Sequence, residues 1–164
     1  MDVSIRALES TPVQTYLSDS VQVADLLDAA LDYTGPADIT LTSFSISEEF
    51  LRRLFFIRKS GRIRNLRIVL DFKATNKTLM LWPFIAQTVE HCYLSNNHSK
   101  ILLVGGDSRQ LTAVMSQNLT RGNRHECGAI FTTKEIYNTM LDDVNHMIER
   151  KSVPFNEIYG KAID

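Results

Sequence analysis

A chain of 164 residues that is 44% hydrophobic and 23% charged suits one globular domain with a sizeable core and excludes extensive disorder. Eighteen basic residues against nineteen acidic ones give a net charge of −1, so no global attraction to nucleic acid exists and any such binding must rest on a local patch. No apolar run approaches the roughly 18–20 residues of a membrane span.

The opening MDVSIRALES lacks the basic start and apolar stretch of a secretory signal. Cys92 and Cys127 make a poor disulfide framework, so reduced thiols in a cytoplasmic protein are the expectation. The first sixteen residues read as an N-terminal arm with a short strand at Val3–Leu8. Ser18 and Asp19 can cap a helix whose apolar positions are Val23, Leu26, Leu27, Ala30 and Leu31. Gly35-Pro36 ends it. Asp38–Phe44 alternates polar and apolar residues and is rich in β-branched types, which predicts a strand. Ser47-Glu48-Glu49 opens a second helix carrying Phe50, Leu51, Leu54, Phe55 and Ile57, closed near Gly61.

Asn65–Phe72 is nearly continuous in apolar residues, as in a buried parallel strand. Lys77–Glu90 predicts a helix in which Pro83 sits in the first turn or makes a kink. Strands follow at Cys92–Leu94, Ser99–Val104, Leu111–Gln117 and Cys127–Phe131. Thr133–Arg150 closes the domain as an amphipathic helix with Ile136, Met140, Val144, Met147 and Ile148 inward. The divisions are therefore an arm (1–16), one domain (17–151) and a C-terminal tail (152–164). The order of elements implies an α/β fold, a mixed sheet flanked by helices on both faces, with ligands at strand ends.

Two segments carry chemistry. In NHSKILLV (97–104), His98 and Lys100 stand two residues apart and project from one face of a strand. Lysine offers charge and three donors, and histidine serves as nucleophile or proton carrier near neutral pH. Solvated surface residues are the plainer reading of that triplet taken alone. In MSQNLTRGNRHE (115–126), Ser116 and Asn118 are likewise two apart. Thr120, Arg121 and Arg124 follow on a loop, and Glu126 closes it. Such hydroxyl, amide and guanidinium donors suit phosphate oxygens; a polar turn bent by Gly122 is the alternative.

Together, H-x-K, then S-x-N-L-T about 16 residues on, then a basic turn and a glutamate resemble the signature of the phospholipase D/nuclease superfamily. The likeness is to its single-motif bacterial and phage-borne members. TGPADITLTSFSIS (34–47), IRNLRIVLDF (63–72) and GAIFTTKEIY (128–137) resemble the same proteins, so the likeness spans roughly residues 20–150. It implies a half-site fold in which His98 is the nucleophile, Lys100 and Asn118 bind phosphate, and Ser116 lies beside them. Glu126 takes the place of an acidic residue that supports the histidine of the partner motif. One H-x-K per chain implies a homodimer with a shared site and a phosphohistidine route with neither metal nor other cofactor. Two positions depart from the pattern. Gly105 stands where the family has an aspartate, for which Asp107 is a candidate substitute, and Met115 replaces a glycine before the serine.

A zinc reading of His91, Cys92, His98, His125 and Cys127 is weak, since no C-x-x-C or H-x-x-x-H spacing is present. His146 reads as a surface or packing residue. Arg52, Arg53, Arg58, Lys59, Arg62, Arg64 and Arg67 form either a solvated edge or a DNA-contacting one. Trp82 and Phe84 read as core or dimer-seam residues. Two functions follow as expectations: a metal-independent phosphodiesterase, in the first place a nuclease on DNA or RNA, or a catalytically inactive relative that binds nucleic acid or assists assembly, for instance in a mobile element.

Overall fold

The structure is a computed structural model that describes residues 5–157. Its centre is a mixed eight-stranded sheet. The strands are β1 (Val13–Ser18), β2 (Ala37–Thr42), β3 (Ile63–Asp71), β4 (His91–Ser95), β5 (Ile101–Gly105), β6 (Gln110–Met115), β7 (Glu126–Phe131) and β8 (Ser152–Pro154). In space they run β1-β7-β6-β5-β2-β3-β4-β8. β2, β3 and β4 are mutually parallel, and every other pairing is antiparallel. This is the mixed α/β architecture expected from the element order.

Three helices, α1 (Val23–Thr34), α2 (Glu48–Lys59) and α3 (Thr75–Thr88), supply the partners of one sheet face. Leu27, Leu31, Leu51, Leu54 and Ile85 meet Ile39, Leu41, Ile68, Leu70 and Leu102 there in one continuous core. α4 (Lys134–Lys151) lies on the opposite face, where Val144, Met140, Leu141, Met147 and Ile148 pack on Ile101 and Leu103. Ser47 caps α2 as expected, its hydroxyl accepting from Phe50 N–H at 3.2 Å, and Glu48 and Glu49 favour the positive helix end. α1 begins later than expected, at Val23, where Asp25 accepts from the Gln22 N–H at 2.9 Å. Pro83 lies well inside α3 rather than in its first turn.

Both ends of the chain depart from the sequence reading. The expected strand at Val3–Leu8 falls partly outside the described residues, and Leu8 opens a turn instead. β1, within and just beyond the expected arm, forms an edge of the sheet. Its inward residues are Gln14, Tyr16 and Ser18, whereas Val13, Thr15 and Leu17 face outward. The inward polar groups are satisfied: Gln14 bonds both the N–H and the C=O of Arg6, and the Tyr16 hydroxyl donates to Gln117 at 2.7 Å. The expected tail begins with β8 on the far edge. Phe155 follows it, fully buried and stacked on Trp82 at 4.5 Å between centroids. Residues 152–157 are therefore part of the packed domain, because Trp82 and β4 offer an apolar slot that Phe155 fills.

Candidate active site

Three parallel strands fix where the loops meet. β2, β3 and β4 end at one sheet edge, and β5, antiparallel to β2, begins there. The chain leaving β4 must pass the ends of β3 and β2 to enter β5, and it does so with residues 96–100. His98 is the middle of that crossing. Ligands of open α/β sheets bind at such carboxyl ends.

Buried polar groups hold the crossing. Asp71, ending β3 and 5% exposed, accepts from Asn97 N–H at 2.8 Å and from Lys73 N–H at 2.7 Å. Asn97, 3% exposed, donates its side-chain amide to the Ser43 carbonyl at 3.0 Å and accepts from Ser99 N–H at 3.1 Å. Thr42 Oγ1 and Ser99 Oγ lie 2.8 Å apart, and Thr42 Oγ1 also accepts from Ile101 N–H at 3.0 Å. His98 thus stands exposed on a turn pinned on both sides. Lys100 Nζ donates to the His98 carbonyl at 2.8 Å and lies 3.3 Å from His98 Nδ1.

The second segment reaches the same place through Phe44. Asn118 Oδ1 accepts from Phe44 N–H at 3.1 Å and from Ser43 Oγ at 3.2 Å. The Phe44 ring rests against the His98 ring, 5.6 Å between centroids at 57°. Asn118 and His98 therefore converge on one residue. With its carbonyl oxygen engaged, Asn118 has its N–H₂ group left to offer a ligand. Leu119 anchors the loop: it is buried, and its C=O accepts from Ser47 N–H at 2.8 Å.

The remaining expected site residues are held by other partners. Ser116 accepts from Cys127 N–H at 3.0 Å and donates to the Glu126 carboxylate, which ties the β6 and β7 ends together. Thr120 and Arg121 line a neighbouring cleft of about 450 Å³ between the first turns of α1 and α2, together with Asp19, Gln22, Glu49 and Arg53. That cleft does not include His98, Lys100 or Asn118. Arg121 is engaged by Glu49 at 2.6 Å. Arg124 is exposed on the loop.

At the far end of β5, a Cβ on Gly105 would lie 2.2 Å from the Tyr137 hydroxyl. The tyrosine stands where an aspartate side chain would begin, and its own pKa is raised by burial and by the charge of Asp38. Asp107 is no substitute, being exposed and bonded to Arg64 at 2.6 Å. Met115 points into the core rather than crowding the site, since it is 7% exposed among the core residues. The arginines suspected of forming a DNA edge are mostly neutralised: Arg52 pairs with Glu48, Arg53 with Asp25 and Asp28, Arg58 with Glu90, Arg62 with Asp28 and Asp32, and Arg64 with Asp107. His91 and Cys92 face opposite sides of β4, one exposed and the other buried. Among the described residues no three His, Cys, Asp or Glu side chains gather as a metal site would require, and no helix is long and apolar enough to cross a membrane.

The eight-stranded mixed sheet, with three helices on one face and one on the other, has the fold of solved phospholipase D family members. Solved structures bear this out. Nuc of Salmonella typhimurium, a phospholipase D family member, superposes with a TM-score of 0.65 at 17% identity, over 87% of this chain and 97% of Nuc. NucT of Helicobacter pylori gives 0.65 at 13% identity, over 87% of this chain and 98% of NucT. Phosphatidylserine synthase of Haemophilus influenzae gives 0.63 at 11% identity, over 87% of this chain and 40% of the synthase. At the level of sequence, no family model and no curated protein matches.

Sequence reasoning singled out His98, Lys100 and Asn118 but missed Phe44, Asp71, Asn97 and Ser43. A signal existed for one of them: Asp71 closes an otherwise apolar strand, where an acidic residue needs buried donors. Phe44 carried none, because an aromatic residue after a strand is ordinary core material.

Proposed function

We propose that this protein is a metal-independent phosphodiesterase, a nuclease acting on DNA or RNA, that works through His98 at a site shared by two copies of the chain. The observation that carries this reading is the convergence of His98, Lys100 and Asn118 around Phe44 at the carboxyl ends of the parallel strands. Lys100 and the Asn118 amide supply donors to the non-bridging phosphate oxygens, in place of a metal's charge. The imidazole of one copy attacks phosphorus through a ring nitrogen lone pair, and the P–O bond to the leaving group breaks. The imidazolium of the other copy hands that oxygen its proton. Water then attacks the phosphohistidine, giving up a proton to the second imidazole and restoring the first.

Two copies are needed because one ring cannot do both jobs. A neutral imidazole that accepts from Lys100 at Nδ1 carries its proton on Nε2 and is set up as a donor. Attack through Nε2 needs the opposite tautomer. The nearby Ser116–Glu126 pair, at the start of β7, is the group through which one copy steadies the histidine of the other.

The test is cleavage of a generic phosphodiester, and of single- and double-stranded DNA and RNA, with EDTA present, for wild type and His98→Ala. Turnover that survives the chelator and falls by at least about 10³-fold in the variant supports the reading. No turnover on any substrate moves the assignment to the second reading, a nucleic-acid-binding or assembly module without catalysis. That alternative is favoured by Gly105, whose Cβ position Tyr137 fills, and it predicts binding that weakens steeply with salt.

A further inference from the structure

The sheet face beneath α4 is apolar over β5, where Ile101 and Leu103 pack on Val144 and its neighbours. Towards β2, β3 and β4 it turns polar. Strand register sets the side chains of that face in rows. Leu103 on β5 stands beside Thr40 on β2, Arg67 on β3 and His91 on β4; one row nearer the strand starts, Asp38 stands beside Asn65. Above them α4 carries Tyr137, Leu141 and Asn145, spaced four residues apart and so on one side of the helix. Asp38, Thr40, Arg67, His91, Tyr137 and Asn145 are among the residues that line a pocket of about 300 Å³ there. It lies near the starts of the parallel strands, whereas His98 stands past their carboxyl ends.

Arg67 is half-buried, and of the arginines between positions 52 and 67 it alone has no carboxylate within ion-pair distance among the described residues. Neutral acceptors hold it instead: Nε donates to Thr40 Oγ1 at 2.8 Å and Nη2 to Asn145 Oδ1 at 2.6 Å. Those bonds fix the plane of the guanidinium and leave its charge uncompensated, and neither uses Nη1. Other donors gather beside it. Asn145, its oxygen engaged by Arg67, has its N–H₂ group left to offer. The Tyr137 hydroxyl keeps its proton, since burial and the charge of Asp38 raise its pKa, and His91 brings a ring N–H from the next strand. In the neighbouring row Asp38 accepts from Asn65 Nδ2 at 2.7 Å through one oxygen, which leaves the other for a further donor.

We infer that this pocket binds a small phosphate monoester that carries a hydroxyl group, with the phosphate against Arg67, His91 and Asn145 and the hydroxyl on Asp38. A fixed guanidinium with further N–H and O–H donors around it and no carboxylate of its own suits an oxyanion. Asp38 requires the other end of the ligand to be a donor and repels a second phosphate. Rows along a strand are about 7 Å apart, which one glycerol or sugar unit spans. At about 300 Å³ the pocket is at the small end for ligand sites, so a single monoester fits and a nucleic-acid strand does not. The site is independent of the phosphodiesterase reading and shares no residue with it.

The test is amide NMR of the ¹⁵N-labelled full chain at low salt, titrated with glycerol 3-phosphate, inorganic phosphate or glycerol to about 20 mM. Glycerol 3-phosphate should shift the Arg67, His91 and Asn145 amides with a dissociation constant below about 5 mM, at least about threefold tighter than inorganic phosphate. Glycerol alone should shift none of them. In His98→Ala, which removes the other candidate phosphate site, those shifts should persist. Arg67→Met and His91→Ala, each with a folded spectrum, should weaken binding at least about tenfold and threefold. Lys59→Gln, an equal loss of charge at the exposed end of α2, should not. His91 is exposed, so its variant keeps the test decisive if Arg67→Met fails to fold. Asp38→Asn should abolish the preference for glycerol 3-phosphate over phosphate. The inference is overturned by the absence of shifts at Arg67, His91 and Asn145, by shifts confined to residues 97–100 and 118, or by binding that the folded variants do not weaken. Equal affinity of wild type for phosphate and glycerol 3-phosphate overturns the hydroxyl contact with Asp38.

Discussion

Asp71→Asn is the sharpest test of how the fold presents His98. The carboxylate is buried and each of its oxygens accepts one backbone N–H, from Lys73 at 2.7 Å and Asn97 at 2.8 Å. Asparagine keeps the volume but has one acceptor oxygen, so whichever way it turns, an NH₂ group faces one of those donors. The loss is one charge-assisted hydrogen bond plus a buried N–H left without a partner, about 2–3 kcal/mol. At roughly 2–4 °C per kcal/mol for a chain of this size, the melting temperature should fall by about 4–12 °C. Urea denaturation reads the same quantity as a lower midpoint with an unchanged slope. Amide exchange locates it: Asn97 N–H should exchange faster while the β2 and β3 amides stay slow. A stability loss below about 0.5 kcal/mol with Asn97 still protected would show that the carboxylate does not hold the turn.

Two further outcomes follow from the packing. Gly105→Ala should cost about 1–3 kcal/mol, because its Cβ meets the Tyr137 hydroxyl at 2.2 Å and the ring must move; adding Tyr137→Ser should recover most of that, and a double-mutant cycle in urea that is additive within about 0.5 kcal/mol would refute the clash. Stability should also decline above pH 9: burial pushes the Cys92 thiol from 9.0 up to about 12 and the Tyr16 phenol from 10.0 up to about 12. The unfolded chain loses these protons first, so both contributions are whole below the unfolded values and vanish as pH rises through about 12. For Cys92 the slope is at most about 1.4 kcal/mol per pH unit, and Cys92→Ala should flatten the curve by that amount when midpoints are measured from pH 8 to 11; an unchanged slope would refute the assignment.

The layered α/β plan was legible in the sequence because burial writes itself as periodicity. α2 shows its cap at Ser47 and its apolar stripe at Phe50, Leu51, Leu54 and Ile57, and β3 shows a run that only a buried strand tolerates. His98, Lys100 and Asn118 were legible too, since their spacing is a local property and resembles a known pattern. β1 was not. Its core-facing residues are Gln14, Tyr16 and Ser18; Ser18 is satisfied by its near neighbour Ser20, but Gln14 and Tyr16 are inexpensive to bury because Arg6 and Gln117, from outside the strand, meet them. Phe155 likewise looks like tail residue until Trp82, more than seventy positions earlier, stands opposite it. Nor does sequence place Asp71 against Asn97, the residue before His98: the two meet only because the chain crosses the ends of three parallel strands to reach β5. Periodicity and spacing are set by neighbours in the chain, whereas the partners of a buried polar group are set by neighbours in space.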